Sequence, residues 1–228
     1  MAPMPIFNGT LHEIDMNETK RYAGLKADRP FPDAVVAEAC AAVQVLAAPR
    51  GIFRQCGYDP QAHELLCDEP FTIEGSQIRR HLGDAEIAIV MAVTIGSAIE
   101  DEIDRLFQTK EYTKGLLMDA AATTATEMIA DQLNNYIDNI TVKKGYKTTW
   151  RYSPGYGDWP LSQQPAMVRA IHADQIGITV TSSCMLVPRK SVTAIIGLKR
   201  TDAGPCEPSG CAGCTMHGTC ASSCTSDS

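Results

Sequence analysis

Positive charge is the first thing this chain runs short of. Its 20 lysines and arginines stand against 27 acidic residues, a net charge of −7 over 228 residues. A phosphate backbone needs a basic face, so this balance argues against a nucleic-acid partner. Long apolar runs are also missing: none reaches the ~20 residues of a membrane span, and the best, 85–95, is about half that length. The first residues, Met-Ala-Pro-Met-Pro-Ile-Phe, lack a basic stretch ahead of an apolar core. No signal peptide is therefore expected, and the expected location is cytoplasmic. There is no internal repeat. Cysteine, by contrast, is plentiful at nine residues. In a small secreted domain nine cysteines would mean disulfides; here thiols or metal ligands are expected. With 44% hydrophobic and 21% charged residues, the chain reads as one large soluble domain rather than two small ones.

Along the chain, residues 1–12 read as a loose arm and 15–25 as a short helix with Asp15 near its start. A better helix follows Pro32, with Val35, Ala39, Ala42, Val43 and Leu46 on one stripe. Short strands are expected at 52–56 and 64–67 around a Gly-Tyr-Asp-Pro turn. Another is expected at 71–74, ahead of a helix at 76–82 capped by Ser76. Residues 85–95 put Ile87, Ile89, Met91, Val93 and Ile95 on one face. Ala88, Val90, Ala92 and Thr94 occupy the other, so this strand reads as central and covered on both sides. Ser97-x-x-Glu100 has the form of a capping box, opening a helix that buries Ile99, Ile103, Leu106 and Phe107. A longer helix runs from Gly115 through Ile140. It is rich in alanine and threonine over 120–126, so close packing is expected, and Glu127 sits just after that segment. A helix at 163–172 and strands at 176–180 and 192–198 complete the ordered part, with Pro188 in the last connection. The elements are not in strict βαβ order. The expected fold is therefore α+β: a single domain, 1–201, with a mixed, mainly antiparallel twisted sheet flanked by helices. Residues 202–228 are a Cys-rich tail with almost nothing to bury, unable to fold on hydrophobicity alone.

The stretch with most chemistry is 151–164, Arg-Tyr-Ser-Pro-Gly-Tyr-Gly-Asp-Trp-Pro-Leu-Ser-Gln-Gln. Pro154-Gly155 asks for a tight turn, because proline presets φ and glycine tolerates positive φ. Arg151 can grip a carboxylate with two parallel hydrogen bonds. Tyr152, Tyr156 or Trp159 can stack on a ring or face a cation. Such a loop suits a small ligand with a carboxylate, a cation and a flat ring. The same residues could equally form a structural corner with buried aromatics.

Arg151-x-x-x-Gly155-Tyr156, followed by Gly-Asp-Trp-Pro-Leu, resembles the S-adenosylmethionine-binding loop of the reactivation (activation) domain of cobalamin (vitamin B12)-dependent methionine synthase. It is most similar to free-standing versions of that domain. Glu127-Met-Ile-Ala-Asp-Gln-Leu133 resembles the family's helix glutamate ahead of an Ala-acid-x-Leu run. Asp15, in Glu-Ile-Asp-Met, resembles the Ile-Asp-Trp opening of the domain, without its tryptophan, and an N-cap role suits it as well. Thr181-x-Ser183 and Pro188-x-x-Ser191-Val192 resemble the strand–turn–strand after the loop. Together these matches run from Asp15 to Leu198 and are densest from Glu127 onwards. The resemblance implies S-adenosylmethionine binding by Arg151, Ser153, Gly155, Tyr156, Glu127 and Asp15, with no catalytic side chain. It implies a methyltransferase component of methionine biosynthesis that helps a partner's oxidised cob(II)alamin to be remethylated, taking one electron from a donor protein. Methionine synthase or another corrinoid protein would be that partner, since the chain has no Asp-x-His-x-x-Gly cobalamin-ligating motif.

The tail departs from the synthase-fused domain. Its spacing is Cys206-x4-Cys211-x2-Cys214-x5-Cys220-x3-Cys224, and such thiolates can hold zinc or an iron–sulfur cluster. His217 could join them. Cys40 and Cys184 lie in apolar patterns and read as core, whereas Cys56 and Cys67 flank a turn and could pair in space. Two other functions stay open. One is a non-catalytic adaptor for a corrinoid protein; the other is an electron-transfer protein using a cysteine-ligated cluster in the tail.

Overall fold

The structure, a computed structural model, describes residues 4–25 and 31–201. In chain order its elements are β1 (Phe7–Asn8), α1 (Met16–Tyr22), α2 (Asp33–Leu46), β2 (Arg50–Asp59), β3 (Glu64–Leu66), β4 (Phe71–Thr72) and α3 (Ser76–Leu82). There follow β5 (Ile87–Thr94), α4 (Ala98–Gln108), α5 (Tyr112–Val142), β6 (Tyr146–Thr148), α6 (Gln164–Ala170), β7 (Thr179–Val180), β8 (Leu186–Val187) and β9 (Ser191–Arg200). The fold is α+β, with a mainly antiparallel sheet and flanking helices, as the sequence predicts. It divides into two compact units.

One unit comprises the described residues of Phe53–Met91, Asn134–His172 and Thr193–Ser228. The strands of the main sheet run through it in the order β4-β3-β2-β5-β9-β6. Ala88, Ile89, Val90 and Met91 of β5 are all buried, so this strand has apolar cover on both faces. Strand β2 is longer than the sequence suggests. The Gly-Tyr-Asp expected in the turn still pairs with β3, as Gly57 with Leu66, Tyr58 with Leu65 and Asp59 with Glu64. The turn begins at Pro60 instead, because Asp59 Oδ1 accepts the N–H groups of Gln61 and Ala62 at 2.8 and 3.0 Å. That local bond ends the strand one residue before the proline.

The other unit comprises the described residues of Met1–Ile52, Ala92–Leu133 and Ala173–Val192. Its core is the middle of α5, where Ala120, Ala121, Ala122, Ala125, Ile129, Ala130 and Leu133 are buried. Small side chains let neighbours approach the helix on several sides. Against expectation, the N-terminal arm is not loose: Phe7 and Asn8 pair with Gly51 and Arg50. Beyond it, Thr10 exchanges hydrogen bonds with the Gln132 side chain, Thr10 N–H to Oε1 at 3.0 Å and Gln132 Nε2 to the Thr10 carbonyl at 2.6 Å. In α2 the buried residues are Val36, Ala39, Cys40 and Val43, rotated from the stripe through Val35 and Ala42. Ser97 precedes α4 without a side-chain cap, and Glu100 accepts the Lys190 N–H at 2.9 Å instead. A local capping box thus yields to a bond made 90 residues away. Phe107, read as core, is 41% exposed. Residues 173–176 form a 3-10 turn, and β7 pairs with β8 in a separate two-stranded ribbon.

Candidate functional site

The 151–164 loop lies within the sheet-bearing unit, and its first end is fixed by backbone bonds. Tyr152 exchanges N–H···O bonds of 3.0 and 2.8 Å with Ile195 on β9. The expected turn is present. Tyr156 N–H reaches back to the Ser153 carbonyl at 3.1 Å, and Gly155 has φ 94°. Proline followed by a positive-φ glycine is the type II arrangement. A second turn follows, with Trp159 N–H on the Tyr156 carbonyl at 3.0 Å and Gly157 at φ 53°. Gly157 has no room for a side chain, since a Cβ there would meet the Tyr152 hydroxyl and Gln77 Oε1.

Only part of the aromatic set is left for a ligand. Trp159 is 1% exposed, and its Nε1 donates to Gln163 Oε1 at 2.6 Å. Gln163 in turn bonds β4, donating from Nε2 to the Thr72 carbonyl at 2.7 Å. Tyr152 is also buried, within a cluster in which its ring lies 4.9 Å from Trp150 and 6.1 Å from Trp159. The His81 ring lies 4.4 Å from that of Trp150 at a tilt of 57°, and its Nε2 lies 2.8 Å from the Trp150 carbonyl oxygen. These rings are packing, as the corner reading expects. Tyr156 differs: the residue is 59% exposed. Arg151 and Ser153 are half-buried, and Gly155 is exposed.

Asp158 has a role that sequence reasoning missed. Its Oδ2 accepts the N–H and the hydroxyl of Ser76, both at 2.6 Å, and Oδ1 accepts Gln77 N–H at 3.0 Å. The carboxylate therefore caps α3 from a distant segment, and Ser76 does not act as the cap. The Ser76 hydroxyl, followed by the backbone N–H groups of Gln77 and Ser76, holds the Asp158 carboxyl below its usual pKa. Only a loop already folded over α3 supplies this cap, so no local motif could have shown it.

Asp15 and Glu127 fall in the other unit. Asp15 is the N-cap of α1, its Oδ1 accepting the N–H groups of Asn17 and Glu18 at 2.7 and 3.1 Å. Glu127 is half-buried on α5. Burial, then the charge of Glu127, pushes the Tyr22 hydroxyl above its ordinary pKa, so Glu127 acts electrostatically on the end of α1. Sequence reasoning also passed over Lys190. Its Nζ donates to Asp119 Oδ1 at 2.8 Å and to Thr123 Oγ1 at 2.9 Å. Asp119, Thr123 and Glu127 recur every four residues and so share a face of α5. That polar spacing in an alanine-rich helix was the available signal. The Thr181 hydroxyl accepts Met185 N–H at 3.1 Å and lies 2.9 Å from Ser183 Oγ, closing the β7–β8 ribbon, and the Ser191 hydroxyl donates to Thr94.

Cys206, Cys211, Cys214, Cys220, Cys224 and His217 lie outside the described residues. Among the described residues, no three His, Cys, Asp or Glu side chains gather as a metal site, and no helix is long and apolar enough to cross a membrane. Cys40 is buried in α2 as expected, whereas Cys184 is only half-buried, at a φ of 63°. A cleft of about 320 Å³ in the sheet-bearing unit is lined by Asp84, Glu86, Ile87, Tyr146, Leu198, Lys199 and Arg200. It shares no residue with the predicted ligand set. Its charged lining includes the Lys199–Asp84 pair at 3.8 Å, unlike the mostly apolar walls of small-molecule sites.

Neither a protein-family model nor a curated protein matches the chain. Among solved structures, the chain is similar in fold to the MetH reactivation domain bound to AdoHcy. The TM-score is 0.63 at 12% identity, covering 89% of this chain and 80% of that one.

Proposed function

We propose that this chain binds S-adenosylmethionine on the 151–156 loop and acts as an accessory component in the reductive remethylation of cob(II)alamin carried by a partner. Methionine synthase is the first partner to test. The observation that carries this reading is the Pro154–Gly155 turn. It is held between fixed backbone bonds and presents Tyr156 at 59% exposure while the neighbouring rings are packed away. A fold similar to a domain bound to AdoHcy supports it, since AdoHcy is S-adenosylmethionine without the sulfonium methyl.

The loop's task in this reading is positioning rather than bond-making. Arg151 holds the ligand's carboxylate through a two-pronged charge-assisted contact. Tyr156 gives a π-face for the adenine ring or for the sulfonium cation. Ser153 and Gly155 set the backbone between them, where a Cβ at Gly155 would strain its positive φ. Glu127 and Asp15, which the sequence resemblance also names, lie in the other unit, and Glu127 is tested on its own below. S-adenosylmethionine supplies the methyl group, and a separate donor protein supplies the electron.

Calorimetric titration with S-adenosylmethionine tests the proposal. Arg151→Ala should weaken binding by ~1.5–3 kcal/mol, the range for a hydrogen bond to a charged group. Glu127→Gln should weaken it as well. Wild-type protein that is folded yet binds nothing, or an Arg151→Ala variant with unchanged affinity, would end this reading.

A further inference from the structure

We infer that Cys56 and Cys67 form a thiol–disulfide exchange site, a cross-strand dithiol that closes reversibly against a low-molecular-weight disulfide. The inference is independent of the ligand proposed above and rests on strand register. Gly57 pairs with Leu66 and Tyr58 with Leu65 in the antiparallel β2–β3 hairpin. The ladder ends at the first of these pairs: Cys56 precedes Gly57 on β2 and Cys67 follows Leu66 at the end of β3, so the two cysteines flank the last paired residues. Tyr58 gives its N–H to the Glu86 carbonyl at 2.9 Å, so its backbone groups turn away from β3. Backbone direction repeats every two residues, so a ladder continued by one step would make Cys56 and Cys67 a non-hydrogen-bonded pair. In such pairs the Cα atoms stand ~4.5 Å apart and the side chains are closest. That separation lies inside the ~4.4–6.8 Å that a disulfide spans.

The two thiols are both free and differ in access: Cys56 is buried and Cys67 half-buried. Cys67 Sγ points at the Glu69 carbonyl, 2.9 Å away. Beside the pair, the Arg54 guanidinium grips Asp68 at 2.6 and 2.8 Å; burial raises the pKa of both thiols, and the Arg54 charge offsets part of that rise. Burial and the facing Cys67 push the Cys56 thiol up to about 11. Cys67, the more accessible, is thus the attacking sulfur and Cys56 the resolving one. As a thiolate, Cys67 attacks one sulfur of the reagent disulfide, forms a mixed disulfide and releases one thiol. Cys56 then loses its proton and displaces the second. Two protein thiols become one disulfide, the reagent is reduced by two electrons to two thiols, and the protons leave on those thiols.

Peptide mapping of the full chain after incubation with oxidised glutathione provides the test. Trypsin releases both cysteines in the peptide 55–79, which has no internal lysine or arginine. The expected result is a peptide lighter by two hydrogen atoms that escapes alkylation, and whose halves stay joined after cleavage following Glu64. Cys56→Ser should trap glutathione on Cys67. Cys67→Ser should leave Cys56 alkylatable once the chain is denatured. A peptide 55–79 with both thiols alkylated, or either cysteine linked to the tail instead, would overturn the inference. Should a serine variant fail to fold by circular dichroism, the wild-type map decides alone.

Discussion

Asp158 is worth following at the scale of a single residue because one carboxylate holds a loop and a helix together. Its Oδ2 and Oδ1 satisfy the first N–H groups of α3, which have no partner within the helix. Its pKa is depressed, with the Ser76 hydroxyl as the first cause. The sign follows from that direction. A carboxylate with a folded pKa below its unfolded one contributes stability that is fully present above the unfolded value. That contribution is lost as pH falls through the folded value. Asp158→Ala should therefore melt below wild type at neutral pH, and the gap should close as the medium is acidified past the ordinary carboxylate range. Thermal melts of both proteins across that range are the check, and a gap independent of pH would mean that the charge of Asp158 does not matter. The loop that presents Tyr156 hangs partly on this cap, so the variant should also bind S-adenosylmethionine less tightly.

At the scale of elements, legibility tracked the range of the interactions involved. The Pro154–Gly155 turn, the covered strand β5 and the helix after Asp15 follow from local rules, and each is present. What the sequence hid came from distant partners: Asp158 on Ser76, Lys190 N–H on Glu100, and Phe7 on Gly51. Trp159 looked as suited to a ligand as Tyr156. Only the fold shows one buried against Gln163 and the other exposed. Helix α5 is the clearest case where composition announced packing. Ala121 has no exposed surface and sits in a run of small residues where neighbours approach closely. Interiors are packed near crystal density, so added methylenes must displace something. Ala121→Leu should cost ~1–3 kcal/mol in urea unfolding, whereas the same change at exposed Ala37 should cost far less. Equal costs at the two sites would show that α5 tolerates side chains that its burial forbids.

For the whole molecule, the question is whether chain 1–201 carries the ligand chemistry without the tail. Among the described residues, the buried apolar side chains lie between Ile14 and Leu198, and the sequence of 202–228 offers few apolar side chains. For the five cysteines in those residues, Cys206, Cys211, Cys214, Cys220 and Cys224, we propose a metal or cluster as the staple that such a composition needs in order to fold. A variant ending at Thr201 should keep the melting temperature and the S-adenosylmethionine affinity of the full chain, because neither draws on the tail. It should lose whatever zinc or iron the full chain carries after anaerobic purification, measured as metal per protein by emission spectroscopy. Metal retained by the shortened chain would move the ligands into the folded part. Loss of S-adenosylmethionine binding in a shortened chain that still melts cooperatively would make the tail part of the ligand site and require the 151–156 loop to act with it.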